Sequence, residues 1–252
     1  MSIRYTNGKP ISKKILDCLR YLSKVGVMER KTWYEYFATG SKRWKQKQLK
    51  HLLMLKLIKE HTSQLGDHFV LGDAGIEIVK ALKWPFVSPA LPRQFKHDET
   101  VARGLWKLQT ASLCNGWLSE KELMSGVYKE FLIKEGEGQT KYPDAVFKIL
   151  ARDKYRTVAL EYERNGKSSH RYRSILWSYN SITSVSLILF IVEDETIKKR
   201  IKAALRALGS IQLVERLAFM SAKEWIEDPL RATIELRSKN TSFEKLQDKE
   251  AA

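Results

Sequence analysis

Two short runs between residues 142 and 163 constrain the fold of this chain more than any other stretch. The first run, Ala145 to Leu150, is apolar, and the second extends from about Arg156 to Glu163 after a polar turn. Apolar runs of this length that are separated by a short polar turn are typical of a β-hairpin. Since successive side chains of a strand point to opposite faces, Glu161 and Glu163 are predicted to share one face.

A third carboxylate is expected at the same end of this hairpin. Asp144, which follows Pro143, begins the first strand, whereas Glu161 and Glu163 end the second. Antiparallel pairing therefore brings the three together. Carboxylate oxygens are the ligands that Mg²⁺ and Mn²⁺ prefer, so we predict a metal-binding and catalytic site at Asp144, Glu161 and Glu163. The alternative is that the two glutamates only line the solvated face of an amphipathic hairpin.

Lys167, four residues after Glu163, is the nearest cation along the chain that can reach this predicted site. A fixed ammonium group stabilises negative charge that develops on a phosphate during its reaction. The turn Arg164-Asn165-Gly166 must fold this ammonium back toward Glu163, and we expect Gly166 to allow a tight reversal. Lys167 therefore completes the predicted catalytic set.

Net charge and cysteine usage limit the class of protein. The formal net charge is +16 with a pI near 9.7, which favours a polyanionic partner, most simply nucleic acid. Cys18 and Cys114 are isolated, which argues against a zinc finger or a disulfide scaffold. Met1 to Lys14 has no secretory apolar region, and the longest apolar run, Leu187 to Val192, is too short to span a bilayer. We expect a soluble cytoplasmic protein without membrane insertion.

Residues 1–84 have the element order of a winged helix-turn-helix domain. Helical periodicity predicts helices at 11–25, 31–37, 41–57 and 74–82, with two short strands at 58–61 and 68–71 before the last helix. Ser41 is the expected cap of the third helix, and Trp44 is expected to pack on its apolar face. The segment Val70 to Gly75 resembles the wing-to-helix junction of this family. We predict that this domain binds DNA.

The third of these helices is the predicted DNA reader. Its first half, which is the end that enters the major groove in this motif, carries five cations: Lys42, Arg43, Lys45, Lys47 and Lys50. Residues 1–92 hold 17 Lys and Arg against 7 Asp and Glu, whereas the remaining residues hold 28 against 22. The positive charge is thus concentrated where the winged helix is predicted. The alternative is a solvated basic face on a scaffolding helix.

Three prolines within eight residues, Pro85, Pro89 and Pro92, predict a linker at 85–95, because proline neither continues a helix nor donates to a sheet. A second domain is expected at 96–230, followed by a charged tail at 231–252 that is expected to fray. The elements predicted in the second domain, besides the hairpin, are helix 98–113, a helical or irregular piece 117–124, strand 127–133, a glycine-rich turn 136–138, helix 168–181, buried strand 186–192, helix 195–208 and strand 212–219.

This order of elements resembles the PD-(D/E)xK nuclease superfamily, and the matching motif residues are Pro143-Asp144 and Glu161-x-Glu163. The sequence departs from the motif because Glu163 stands where lysine is expected, a charge that Lys167 is expected to supply from downstream. A winged helix joined to Tyr-Pro-Asp-Ala, then to Leu-Glu-Tyr-Glu-Arg-x-Gly-Lys and a helix ending in Tyr179, is similar to the replication-relaxation family. Within that family it looks most like the MobC-type (MOBC) plasmid mobilisation relaxases, over about residues 10–220.

The resemblance implies an α/β (α+β) fold, in which a winged helix precedes a restriction-endonuclease-like domain with a mixed central sheet flanked by helices. It also implies a metal-dependent relaxase, an endonuclease that nicks one strand of plasmid DNA at the origin of transfer to initiate conjugative mobilisation. The implied cofactor is Mg²⁺ or Mn²⁺. The implied partners are double-stranded plasmid DNA, the nicked single strand, a relaxosome accessory protein and a coupling protein. The five histidines include no His-x-His pair, so a three-histidine relaxase site is not expected.

Several alternatives stay open from the residues alone. Cleavage is either hydrolytic or uses a tyrosine nucleophile, for which Tyr172 and Tyr179 are candidates because they share a helix face. Core packing explains that spacing equally well. His97, Glu99 and Glu120 have no assigned role, and a capping or surface position accounts for His97 as well as catalysis does. The non-catalytic alternatives are a winged-helix regulator and a relaxosome or replication accessory protein, both of which bind DNA without metal.

Overall fold

The computed structural model describes residues 10–63, 66–88, 92–126, 128–134, 139–151 and 153–247. The chain forms two compact units, residues 1–99 and residues 100–252, and helix α5 (Pro92–Thr110) includes the boundary between them. None of the described helices is long and apolar enough to cross a membrane.

The first unit combines helices with a three-stranded antiparallel sheet of order β1-β3-β2. Its elements are α1 (Lys13–Val25), β1 (Met28–Glu29), α2 (Arg30–Thr32) continued by a π-helical turn (Trp33–Phe37), α3 (Lys42–Met54), β2 (Ile58–Ser63), β3 (Gly66–Leu71) and α4 (Asp73–Ala81). The helices and strands predicted for this region are present. Strand β1 is additional, because two residues are too few to give a periodic signal.

Helix α3 begins where its predicted cap stands and ends earlier than expected. The Ser41 hydroxyl accepts a hydrogen bond from the backbone N–H of Trp44, as predicted. The helix stops at Met54, before residue 57, since Lys56 has a left-handed φ of 52°. A Cβ at Gly72 would lie 2.2 Å from the Lys56 carbonyl oxygen, so only glycine fits at this junction. Trp44 is 52% exposed, and the prediction that it packs is wrong.

The second unit is a mixed α/β structure in which helices flank a seven-stranded sheet of order β12-β11-β10-β9-β8-β7-β4. After α5, its elements are β4 (Cys114–Ser119), α6 (Glu120–Leu123), a 3-10 turn (Lys129–Phe131), β5 (Ile133–Lys134), β6 (Thr140–Lys141), β7 (Ala145–Ala151), β8 (Lys154–Glu163), α7 (Ser169–Ser181), β9 (Leu187–Val192), α8 (Glu195–Leu208), α9 (Ile211–Arg216), β10 (Leu217–Ser221), α10 (Ala222–Glu227), β11 (Ile234–Leu236), β12 (Lys239–Thr241) and α11 (Phe243–Gln247). Strands β8, β9 and β10 run parallel, and the other neighbouring pairs are antiparallel. Strands β5 and β6 form a separate antiparallel ribbon.

The core of this unit lies on both faces of β9, whose six residues are all buried, as predicted for a strand covered on both sides. Helices α7, α8 and α9 pack on one face through residues such as Ile175 and Ile201. Elsewhere on the sheet, Phe243 of α11 packs against Phe147 of β7 with ring centroids 6.0 Å apart. The predicted hairpin is confirmed, and β7 pairs with β8 from Ala145–Leu160 to Ala151–Lys154.

The first strand of the sheet is β4, which the sequence did not predict. Residues 117–124 were expected to be helical or irregular, but Cys114 to Ser119 pairs with β7 across a register shift between Cys114 and Trp117. Gly116, at φ +73°, lies in that shift and interrupts the alternation that marks a strand. The strand predicted at 127–133 is wrong, since residues 129–131 form a 3-10 turn. Val127 and the glycine-rich turn 136–138 lie outside the described residues.

The C-terminal part of the chain also differs from expectation. A strand was predicted at 212–219, but the residues up to Arg216 belong to helix α9, which Ser210 caps. Strand β10 begins only at the next residue, Leu217. The tail at 231–252 was expected to fray, but as far as residue 247 it is ordered into regular elements. It contributes β11 and β12 to the sheet, and its Phe243 is buried. Strands of three residues carry no detectable period. Residues 248–252 lie outside the described residues.

The predicted linker at 85–95 is shorter than expected, because α5 begins at Pro92. Proline is accepted in the first turn of a helix, where its missing N–H would have had no partner. Pro89 lies outside the described residues.

Candidate active site

The two predicted glutamates occupy the C-terminal end of β8 and face α7. The Tyr179 hydroxyl donates a hydrogen bond of 2.6 Å to Glu161 Oε1, and the Tyr172 hydroxyl donates one of 3.4 Å to Glu163 Oε2. Tyr162, between them, donates its hydroxyl to Glu193 instead. Glu161 and Glu163 are each 1% exposed, so they do not line a solvated face of the hairpin.

Asp144 joins the glutamates at this end of the sheet. It immediately precedes β7, whose first residue Ala145 pairs with Leu160. Its Oδ2 accepts a hydrogen bond of 2.6 Å from the backbone N–H of Tyr162. Burial raises the pKa of both glutamates, and the negative charge of Asp144 adds to this shift. Asp144 therefore lies at the same end of the sheet as Glu161 and Glu163.

Lys141 is the residue of this cluster that the sequence analysis missed. It lies on β6, and its ammonium group contacts Glu161 Oε2. Its side chain is 17% exposed, against 1% for that of Glu161. The only signal in the sequence was its position three residues before Asp144, since a two-residue strand shows no period.

Lys167 reaches Glu163, as expected. Its ammonium group contacts Glu163 Oε1, and its backbone N–H donates a 3.1 Å hydrogen bond to the Tyr172 hydroxyl. Gly166 does not serve a left-handed reversal, because its φ lies outside that region. A Cβ there would lie 2.7 Å from Nη1 of Arg200, a contact that a shift of this flexible side chain can relieve.

Burial dominates the electrostatics of the cluster. It raises the pKa of Glu161 to about 7, against the opposing charge of Lys141. It also raises the pKa of Glu163, against the charges of Lys167 and Lys141. Burial lowers the pKa of Lys141, but the charges of Glu161, Asp144 and Glu163 outweigh it, so that this pKa lies above its usual range. Three carboxylates thus face two ammonium groups in a site that excludes most solvent.

The two candidate tyrosine nucleophiles are buried hydrogen-bond donors. Tyr172 and Tyr179 are both 0% exposed. Burial, with a smaller contribution from the charge of Glu163, raises the pKa of Tyr172 to about 12. Burial and the charge of Glu161 raise the pKa of Tyr179 well above its usual range. A tyrosine nucleophile needs a lowered pKa or an adjacent base with access to substrate. The geometry favours a role for both in positioning the glutamates.

The remaining candidates have structural contacts of their own. Glu99, in the first unit, is 1% exposed and accepts hydrogen bonds from Tyr21, Thr32 and the backbone N–H of Glu29. His97 Nδ1 lies 3.3 Å from Asp98 Oδ1. Glu120 borders the acidic cluster, since its backbone N–H donates to the carbonyl of Asp144 at 3.0 Å.

The basic residues of α3 differ in availability. Four of them are exposed and, within the part of the chain that the structure describes, form no ion pair: Lys42, Arg43, Lys47 and Lys50. The Lys45 ammonium instead donates to the Tyr34 carbonyl at 2.7 Å. The exposed Trp44 lies among these cations at the start of the helix. Helix α3 thus presents exposed cations and one exposed aromatic side chain.

No group of three or more His, Cys, Asp or Glu side chains arranged to hold a metal ion occurs among the described residues. A scan of protein-family models, a search of curated proteins and a search of solved structures each find no match to this chain.

Proposed function

We propose that this chain is a metal-dependent DNA endonuclease, and within that class a relaxase that nicks one strand of plasmid DNA at an origin of transfer. The observation that carries the proposal is the buried cluster of Asp144, Glu161 and Glu163 with Lys141 and Lys167. Carboxylates and ammonium groups that meet in a low-dielectric site are a common arrangement for phosphoryl chemistry, because each charge acts strongly there.

The candidate ligands of the cluster are all carboxylate oxygens, which is the type of ligand that a hard divalent cation prefers. Asp144, Glu161 and Glu163 would hold Mg²⁺ or Mn²⁺, which supplies neutralisation of the scissile phosphate and a bound water of lowered pKa. Lys141 and Lys167 stabilise charge on the phosphate oxygens.

The first unit supports a DNA substrate. The elements of this unit follow the order helix, strand, helix, helix and two-stranded hairpin, which fits a winged helix. A winged helix presents its third helix to a major groove, and here that helix is α3. The exposed cations of α3 are Lys42, Arg43, Lys47 and Lys50. Cations that lack an acidic partner are free to contact phosphates, whose neutralisation supplies most of the affinity for duplex DNA.

A second candidate function is a DNA-binding regulator or relaxosome accessory protein without catalysis. It is favoured by one observation: each glutamate of the cluster already contacts a lysine, Glu161 with Lys141 and Glu163 with Lys167. A buried cluster that is neutralised internally can serve as a structural polar network. This candidate requires DNA binding and no metal.

The deciding experiment uses a supercoiled plasmid that carries the DNA adjacent to the gene for this chain, with and without Mg²⁺ or Mn²⁺. We expect open circles only with metal, and none with Asp144→Asn or Glu161→Gln, while both variants retain duplex binding in a mobility-shift assay. Glu227→Gln, a change at an exposed residue of α10, is the matched control and should nick like wild type. Duplex binding by wild type without nicking under any metal condition would favour the regulator instead.

A further inference from the structure

A groove lies at the end of the seven-stranded sheet opposite to the acidic cluster. It has a volume of about 830 Å³ and is lined by the last residues of β7, the first residues of β8 and β9, the β11–β12 hairpin and α11. Arg156, at this end of β8, is five residues from Glu161, or about 17 Å along an extended strand. The groove is therefore separate from the proposed catalytic site.

The groove has an aliphatic part. Ile149, Leu187, Leu236 and Leu246 contribute to its lining from four different elements of the unit. Ile149 is 3% and Leu187 8% exposed, so the accessible aliphatic surface comes mainly from the partly exposed Leu236 and Leu246. An aliphatic surface of this kind favours a ligand with a flat apolar portion.

The polar lining is strongly cationic. Its exposed cations are Arg156, Arg237, Lys239 and Lys245, whereas Glu215 is the single acidic residue among the described lining residues. Arg237 approaches Glu215 at 3.8 Å, which leaves the other three cations without an ion pair in the described ranges. Uncompensated cations around an aliphatic surface attract an anionic ligand.

Arg216 and the turn that contains Arg237 also place positive charge at this groove. Arg216 donates through Nη2 to the carbonyls of Ile182 and Val185, at 2.7 and 2.6 Å, and its buried Nε has no partner among the described residues. No carboxylate neutralises it in those contacts. Arg237 and Ser238 both adopt left-handed φ values, 54° and 61°, in the two-residue turn between β11 and β12. Such a turn usually contains glycine or asparagine, so the Arg237-Ser238 pair is kept there at a conformational cost.

We propose that this groove binds a nucleotide, with its base against the aliphatic lining and its phosphates at the cations Arg156, Lys239 and Lys245. The volume lies within the range of sites for small organic ligands. Lysine and arginine form charge-assisted hydrogen bonds with phosphate oxygens. The same chemistry is offered by a free nucleotide and by a nucleotide within a single strand, and the two sources are separated by experiment.

The test is isothermal titration calorimetry of the full chain with ATP, with a short single-stranded oligonucleotide and with inorganic phosphate at one ionic strength. We expect a nucleotide-bearing ligand to bind more tightly than phosphate. Arg156→Ala and Lys239→Ala should each weaken that binding about tenfold, the scale of one charge-assisted hydrogen bond. Lys223→Ala is the matched control and should bind like wild type. Lys223 is exposed and lies just after the C-terminal end of β10, at the other end of the sheet from the groove.

The outcomes of this titration distinguish a free nucleotide from a single strand, and binding in the groove from binding elsewhere. ATP binding that weakens in both groove variants identifies a free nucleotide, and oligonucleotide binding that weakens in the same variants identifies a strand. Glu161→Gln should retain either one, because the groove does not depend on the acidic cluster. Binding no tighter than that of inorganic phosphate, or equal loss in Lys223→Ala, would overturn the proposal. Circular dichroism verifies the fold of each variant, and Lys239→Glu at the same exposed position should abolish binding.

Discussion

Single residues of the acidic cluster are held by donors from α7 and by lysines from two other segments. Glu161 receives the Tyr179 hydroxyl at one oxygen and the Lys141 ammonium at the other. Both contacts favour the ionised carboxylate, whereas burial favours the protonated one. The protonation of Glu161 therefore depends on the balance of a few named contacts, which substitutions can change one at a time.

Replacing Tyr179 with phenylalanine should raise the pKa of Glu161, because it removes a hydrogen bond that lowers this pKa. Titration of the glutamate carboxyl carbons by NMR in the absence of metal measures the change directly. Tyr155→Phe is the control, since Tyr155 is 59% exposed. An unchanged carboxyl titration in Tyr179→Phe would remove the tyrosine from the role of positioning residue.

Glu99 should make the stability of the first unit dependent on pH. Burial, partly opposed by the hydrogen bond from Thr32, raises its pKa to about 8, whereas an unfolded glutamate titrates near about 4.3. Between these values the folded state binds more protons than the unfolded state, so the free energy of unfolding falls as pH rises. Urea unfolding followed by circular dichroism should show a weaker pH dependence in Glu99→Gln. The exposed control Glu77→Gln should retain the slope of wild type.

At the scale of elements, short segments decide where the functional side chains lie. The β5–β6 ribbon has only two residues in each strand, yet it brings Lys141 to Glu161. It is tied to α7 because the Ser178 hydroxyl donates to the Lys134 carbonyl at 2.7 Å. Helix α7 thus supports the cluster twice, through its tyrosines and through this ribbon.

The packing of α5 against α10 requires glycine at position 104. A Cβ there would lie 2.1 Å from Cε2 of Trp225, a fully buried ring whose Nε1 donates to the Thr100 carbonyl at 2.9 Å. Gly104→Ala gains about 1 kcal/mol of helix propensity but forces overpacking that costs about 1–3 kcal/mol, so we expect net destabilisation in thermal unfolding. The double variant Gly104→Ala/Trp225→Leu should lose less than the sum of the single changes. A strictly additive result would locate the cost elsewhere.

At the scale of the whole molecule, the net charge of +16 is divided unevenly along the chain, and α3 carries four exposed cations. Replacing Lys42, Arg43 and Lys47 with alanine should weaken duplex binding and flatten its dependence on salt, since each lost phosphate contact reduces the slope by about 0.9. Fluorescence anisotropy across salt concentrations measures both quantities.

The matched control for this prediction removes the same number of charges from other elements of the same unit. Lys13, Lys14 and Lys83 are exposed on α1 and after α4. Their replacement by alanine should leave the affinity and the salt slope closer to those of wild type. Equal effects of the two triple variants would mean that binding depends on net charge alone and that α3 is not the reader.

The sequence by itself determined the elements whose signals are local. The hairpin of β7 and β8, the buried strand β9 and the helices α7 and α8 follow from alternation, apolar runs and caps that lie within each element. The placement of Asp144 beside Glu161 and Glu163 follows as well, because antiparallel pairing of adjacent strands fixes which ends meet.

Only the tertiary structure decided the rest, because the deciding contacts join segments distant in sequence. Strand β4 pairs with β7 across a bulge, β11 pairs with β10, and β12 pairs with β11. Lys141 meets Glu161 twenty residues away, and the groove cations come from separate elements of the unit. The burial of the glutamates belongs here too, since covering β8 with α7 turned an apparently solvated pattern into an enclosed charged site.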